Sequence, residues 1–213
     1  MILQATMSIM DTDWQEIPDS SFGERDANVL QVIGQEELTG FTFDGLKRRL
    51  GLHPETLSRI LYRLEDRGIV KKELRGYKVT SKIKSVLTFH PLSSTKPSVT
   101  ILQTMLSPDV PLGQVVLDLK GKWFGMLRWL GYSENSNSVT LKWITEDGGV
   151  QIDANFLDNQ LSIEARLLHE KDLNVALKAS YQLISCITKF YSGHIRTSHI
   201  AYSANFKPYF MLA

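Results

Sequence analysis

The stretch His53-Pro54-Glu55-Thr56-Leu57-Ser58-Arg59-Ile60-Leu61-Tyr62-Arg63-Leu64-Glu65-Asp66-Arg67-Gly68-Ile69-Val70 reads as one amphipathic helix whose two ends are marked in its own residues. Leu57, Ile60, Leu61 and Leu64 fall at i, i+3, i+4 and i+7, a single apolar stripe. Pro54 suits the first helical position, where its missing N–H costs nothing, and Gly68 suits the position just past the end. At about 100° per residue, Glu55, Arg59, Tyr62 and Asp66 lie opposite the stripe, with Thr56, Ser58 and Arg63 on its flanks. One side belongs in a core; the other offers hydroxyls, an aromatic ring and arginines.

The neighbours extend the pattern. Glu24 to about Glu37 is a first helix with Ala27, Leu30 and Ile33 inward, and Phe43–Leu52 holds a short helix ending at a glycine turn. Ile69 to Thr80 reads as two short strands joined near Arg75-Gly76, followed by a helix from Ser81 to about Leu87. Helix, tight turn, amphipathic helix and small hairpin is the order of a winged helix-turn-helix. On these residues the segment 25–90 resembles the MarR/ArsR-like winged-helix family. Thr56-Leu57-Ser58-Arg59 and Leu64 to Val70 look like its recognition helix and exit, and Gly76 to Thr80 like the returning wing strand. The resemblance implies a prokaryotic, cytoplasmic transcriptional regulator: a homodimer on double-stranded DNA, not an enzyme, with no cofactor. Thr56, Ser58, Arg59, Tyr62 and Arg63 would then face DNA, joined by Lys71, Lys72, Arg75 and Lys78 of the wing. This wing is shorter than is typical of the family and lacks its Asp-Arg-rich tip.

Charge points the same way. The whole chain of 213 residues carries only +1, yet Lys47 to Lys84 holds 12 Lys/Arg against 4 Asp/Glu, an excess of +8, leaving −7 elsewhere. Positive charge gathers where phosphate neutralisation would need it. The 43% hydrophobic and 22% charged content is ordinary for a globular chain. No apolar run approaches the roughly 20 residues of a membrane span, so no membrane association is expected. The N-terminus has no basic region followed by an apolar core, so no secretory signal is expected either. The single cysteine excludes an intrachain disulfide and any cysteine-based zinc cluster.

The division expected is an N-terminal arm, 1–24, with Trp14 as a dimer anchor or packed on its own domain; a DNA-binding domain, 25–90; a linker, 91–98, rich in proline, serine and threonine; and a second domain, 99–213. In the second domain the apolar period changes to two. Residues 115–119, 122–130, 139–143, 150–156 and 161–167 read as strands, separated by turn residues such as Asp147-Gly148-Gly149 and Asp158-Asn159. Short connections make neighbours antiparallel, giving a five-strand meander. A long helix, about Asp172 to Tyr191, carries Leu173, Ala176, Leu177, Ile184 and Ile187 to cover one sheet face. The fold class expected is therefore α+β: an N-terminal winged helix-turn-helix, then a five-strand antiparallel meander with a long C-terminal helix.

No phosphate loop, His-Glu-x-x-His, Gly-x-Ser-x-Gly or Cys-x-x-Cys occurs. His90 is assigned no chemistry, His194 and His199 read as surface residues, and Cys186 as a small hydrophobe in a helix. Trp123, Phe124, Met126, Trp129 and Trp143 interleave on neighbouring strands, as sheet core or as a ligand or dimer surface that an effector, a protein partner or a second copy would cover. The alternative to a DNA-binding regulator is an interaction scaffold in a nucleic-acid or division assembly without base readout. A third reading places an activity in the sheet domain, and the absence of catalytic motifs weighs against it.

Overall fold

The computed structural model describes residues 22–83, 86, 98–106, 111–168, 173–190 and 195–196. The expectations for Trp14, His90, Tyr191, His194, His199 and residues 91–97 of the linker fall outside these residues. In chain order the elements are α1 (Glu24–Gln35), β1 (Gly40–Phe41), α2 (Phe43–Leu50), α3 (Pro54–Asp66), β2 (Val70–Glu73), β3 (Gly76–Val79), β4 (Ser98–Leu106), α4 (Leu112–Leu119), β5 (Leu127–Glu134), β6 (Ser138–Thr145), β7 (Val150–Leu157), β8 (Gln160–Leu167), α5 (Leu173–Phe190) and β9 (Ile195–Arg196).

The expected fold class is overturned. The strands do not divide into a winged helix-turn-helix module and a separate five-strand meander. All nine belong to one antiparallel sheet in the order β2-β3-β1-β5-β6-β7-β8-β4-β9. The join is β1, two residues long: Gly40 and Phe41 pair with Lys78 and Tyr77 of β3 on one side, and with Tyr132 and Gly131 of β5 on the other. Flanking rungs extend it, with Thr39 N donating to Tyr132 O and Thr42 N to Leu130 O, both at 2.9 Å. A two-residue strand is too short for any period to announce it.

Three local readings change with it. Residues 115–119 are not a strand but the end of α4, because Leu112, Val115, Val116 and Leu119 also stand at i, i+3, i+4 and i+7. The strand read over 122–130 begins only at Leu127 and runs through Gly131 and Tyr132 to Glu134, so the turn starts at Asn135. Ser98–Leu106, to which no strand was assigned, is the nine-residue β4, paired antiparallel to β8.

Strand alternation splits the sheet into two faces. Leu141, Trp143, Ile152, Ala154, Ile163 and Ala165 point to one, where α4 and α5 cover them with Val115, Leu119, Ala176, Ala179, Leu183 and Ile187. Trp143 is fully buried there, edge-on to Trp129 at 5.3 Å and Phe124 at 5.6 Å, and its Nε1 donates to Lys122 O at 2.9 Å. On the other face of β5–β8, Leu130, Ile144, Lys142, Gln151 and Arg166 meet the N-terminal segment, with Asp153 beside them. Gly45 lets α2 lie directly on β5: a Cβ there would stand 2.5 Å from the Leu130 Cα. The helices keep a core of their own, in which Leu30, Ile33, Leu46, Leu57, Ile60, Leu61 and Leu64 are buried.

The junction is completed by a buried charge cluster. Glu36, just past the end of α1, is 1% exposed at its side chain and accepts from Arg49 (3.0 Å), Lys142 (3.4 Å), Gln151 (2.7 Å) and Arg166 (2.9 Å). Asp153 also accepts from Lys142 (3.2 Å), Gln151 (2.9 Å) and Arg166 (2.7 Å). Burial alone would push the Glu36 carboxyl up; Lys142, Arg166, the Gln151 hydrogen bond and Arg49 together outweigh it and hold it below the ordinary value of 4.5. A depressed folded pKa contributes stability that is complete above 4.5 and disappears as pH falls through the folded value. Urea midpoints should therefore be flat near neutrality and fall on the acid side of 4.5, and Glu36→Gln should flatten that acid limb.

Candidate nucleic-acid interface

The outward side of α3 is held in place by what lies beneath it. Leu57, Ile60, Leu61 and Leu64 are buried against α1 and α2, which turns Glu55, Ser58, Arg59, Tyr62 and Arg63 to the surface. Gly51, at φ +64, closes α2 in the left-handed conformation and turns the chain into Pro54, the first residue of α3. Thr56 is half-buried at the edge of the stripe. Tyr62 is 72% exposed.

The two arginines expected to face DNA have different surroundings. Among the described residues Arg59 pairs only with Glu55, one turn back on the same exposed face. Such a pair is worth under about 1 kcal/mol, so Arg59 can exchange it for another acceptor. Arg63 instead reaches back to α1, where Nε (3.0 Å) and Nη2 engage the two carboxylate oxygens of the buried Asp26. That fork is a strut between α3 and α1, and its hydrogen bonds raise the guanidinium pKa further. Arg63→Ala should lower stability by about 1–3 kcal/mol, the cost of stranding a buried acceptor. The change should leave any base preference where it was. A denaturation curve beside a duplex titration checks both; unchanged stability with altered preference would return Arg63 to the reading face.

The β2–β3 hairpin stands beside α3. Its backbone is tied to the helix by Lys72 N donating to Glu65 Oε1 at 3.1 Å, and its base by Thr80 Oγ1 donating to Gly68 O at 2.7 Å. Gly76 sits at φ +144 against β1, where a Cβ would meet Phe41 O at 2.3 Å, and Tyr77 stacks on Phe41 at 5.5 Å. The hairpin is thereby seated on the sheet with its tip outward. Lys71, Lys72, Arg75 and Lys78 are exposed and have no salt-bridge partner among the described residues. Lys71 and Lys78 pair across the hairpin and share one face, with Lys72 on the other and Arg75 in the turn. The exposed acids Glu55, Glu65, Asp66 and Glu73 lie on the same two elements.

Of the two readings of the aromatic group on the sheet, core or surface, three of its five members follow the first. Phe124, Trp129 and Trp143 lie in the core between the sheet and α4–α5, and Met126 is half-buried with its N–H donating to Gln182 Oε1 at 3.0 Å. Only Trp123 is outward, 62% exposed with the Arg128 guanidinium 4.9 Å from its ring. A charge at Phe124 would disrupt the fold rather than a dimer. Cys186 is half-buried in α5, where burial raises its thiol pKa. Asp26 and Glu36 were not legible as site-forming residues: Asp26 meets an arginine 37 positions away, and the partners of Glu36, Arg49 apart, are more than 100 positions away.

No helix among the described residues is long and apolar enough to cross a membrane. No protein-family model matches the chain, and a comparison with curated proteins finds no match.

Proposed function

We propose that the protein binds double-stranded DNA and regulates transcription, laying the Ser58-Arg59-Tyr62 face of α3 and the cationic β2–β3 hairpin on the duplex. The observation that carries this is the hairpin: Lys71, Lys72, Arg75 and Lys78 crowd two short strands without acidic partners among the described residues, beside a helix face that offers hydrogen-bond donors. Fixed cations at that density suit a polyanion. The local excess of +8 between Lys47 and Lys84 and the resemblance of residues 25–90 to MarR/ArsR-like regulators support the same reading. Arg59 supplies base readout, because a guanidinium pairs with both acceptors of a guanine edge, and the hairpin supplies phosphate contact. The protein is not an enzyme in this reading.

Duplex titrations across a salt series test it. Wild-type affinity should fall steeply with salt, and Arg75→Ala should reduce the slope by about 0.9, one phosphate contact. Arg59→Ala should cost about 1–3 kcal/mol on a selected site and relax base preference there. Absence of salt-dependent duplex binding would favour an interaction scaffold instead.

A further inference from the structure

Leu74 occupies the outermost position of the β2–β3 hairpin and is 99% exposed, the most exposed large apolar side chain among the described residues. Hairpin tips ordinarily carry glycine, asparagine or aspartate, which suit the turn and stay hydrated. Here the tip is Leu74-Arg75, between Glu73 and Gly76 of the two paired strands. The leucine touches no core, so packing does not explain it. Nor is the tip loosely held: Gly76 is seated against Phe41 O, Tyr77 stacks on Phe41, and the Lys72 N–H is bonded to Glu65 of α3. A rigid mount therefore carries an apolar point with a guanidinium beside it and Lys71, Lys72 and Lys78 behind.

Resting on the DNA-binding reading above, we infer that Leu74 is a wedge that enters the duplex at a base step and bends the DNA. Charge complementarity selects the occupant: the cations around the leucine match phosphates on either side of a groove, and Arg75 suits the negative potential of a narrowed minor groove. Apolar side chains pushed between base steps partly unstack them and kink the helix, most readily at flexible pyrimidine–purine steps. The hairpin would thus select sequence by deformability, at positions no hydrogen bond reads.

The test uses the full chain and a duplex of about 25 bp with central TA steps, end-labelled so that energy transfer reports the bend. Wild type should bend it, and should bind at least tenfold more tightly when one central step is mismatched and already unstacked. Leu74→Ala, checked for an unchanged thermal midpoint, should keep the wild-type salt slope, lose most of the bend and lose the preference for the mismatch. Leu74→Met should retain both. Wild type that binds with the full salt slope but leaves the duplex straight, or Leu74→Ala that bends it equally, overturns the wedge while the DNA-binding reading stands. Wild type that shows no salt-dependent duplex binding removes both. Capture instead by phosphatidylglycerol vesicles, lost in Leu74→Ala, would give the tip to a membrane surface.

Discussion

Glu36→Gln should destabilise the folded chain by about 3–5 kcal/mol, the range for removing one charge from a buried ion-pair network. Glu36 is the one acid that Arg49, Lys142 and Arg166 share from both halves of the chain, and it is almost wholly removed from water. With it neutral, Asp153 alone would face Lys142 and Arg166, and Arg49 would lose its carboxylate. The amide oxygen can still accept hydrogen bonds, but the NH2 sets donors against donors, so the expected loss comes from charge and a lost acceptor and not from shape. Urea denaturation at neutral pH gives the number directly. A loss under about 1 kcal/mol, the level of a surface pair, would mean that water reaches the cluster. Because Glu36 and Arg49 stand on the helical side and Lys142, Asp153 and Arg166 on the sheet, the same change should also loosen the seat from which α3 and the hairpin project.

Gly131→Ala should cost about 3 kcal/mol by prying β1 from β5. A Cβ at that position would stand 2.3 Å from Gly40 O and 2.9 Å from the Phe41 Cα, both backbone atoms that no rotamer change can move. Overpacking of this kind costs about 1–3 kcal/mol, and parting the strands also weakens the bonds from Thr39 N and Thr42 N, each worth about 0.5–1.5 kcal/mol. Gly113→Ala is the internal control: nothing lies within 4 Å of a Cβ there, and within helix α4 alanine should gain up to about 1 kcal/mol. Equal thermal midpoints for the two variants would show that the β1–β5 contact contributes nothing to stability. Hydrogen exchange at Thr39 and Thr42, faster in Gly131→Ala than in wild type, would locate the damage at the junction.

What the residues determine by themselves is local. The α3 stripe, the proline that opens the helix and the glycine at φ +69 that follows it all lie within a few turns of one another. The strands from Val150 to Leu167 are likewise written in alternation and in the turn at Asp158 and Asn159. The cationic hairpin is visible as a run of lysines and arginines, and Leu74 can be read at its tip, though not that it would be left bare.

Periodicity fails where two periods fit one segment. Residues 112–119 satisfy a strand at 115–119 and a helix over the whole, and only the packing of Val115 and Leu119 on the sheet selects the helix. It fails again where a strand is too short to have a period. Gly40 and Phe41 carry no signal, yet they turn two expected units into one sheet. Ion pairing is the third case: Arg63 reads as a surface arginine beside Arg59 until Asp26, 37 positions earlier, is folded against it. Apolar patterns repeat along the chain and can be read from it. Pairing between distant strands and charges is set by where the backbone brings them, and that is decided only in the tertiary structure.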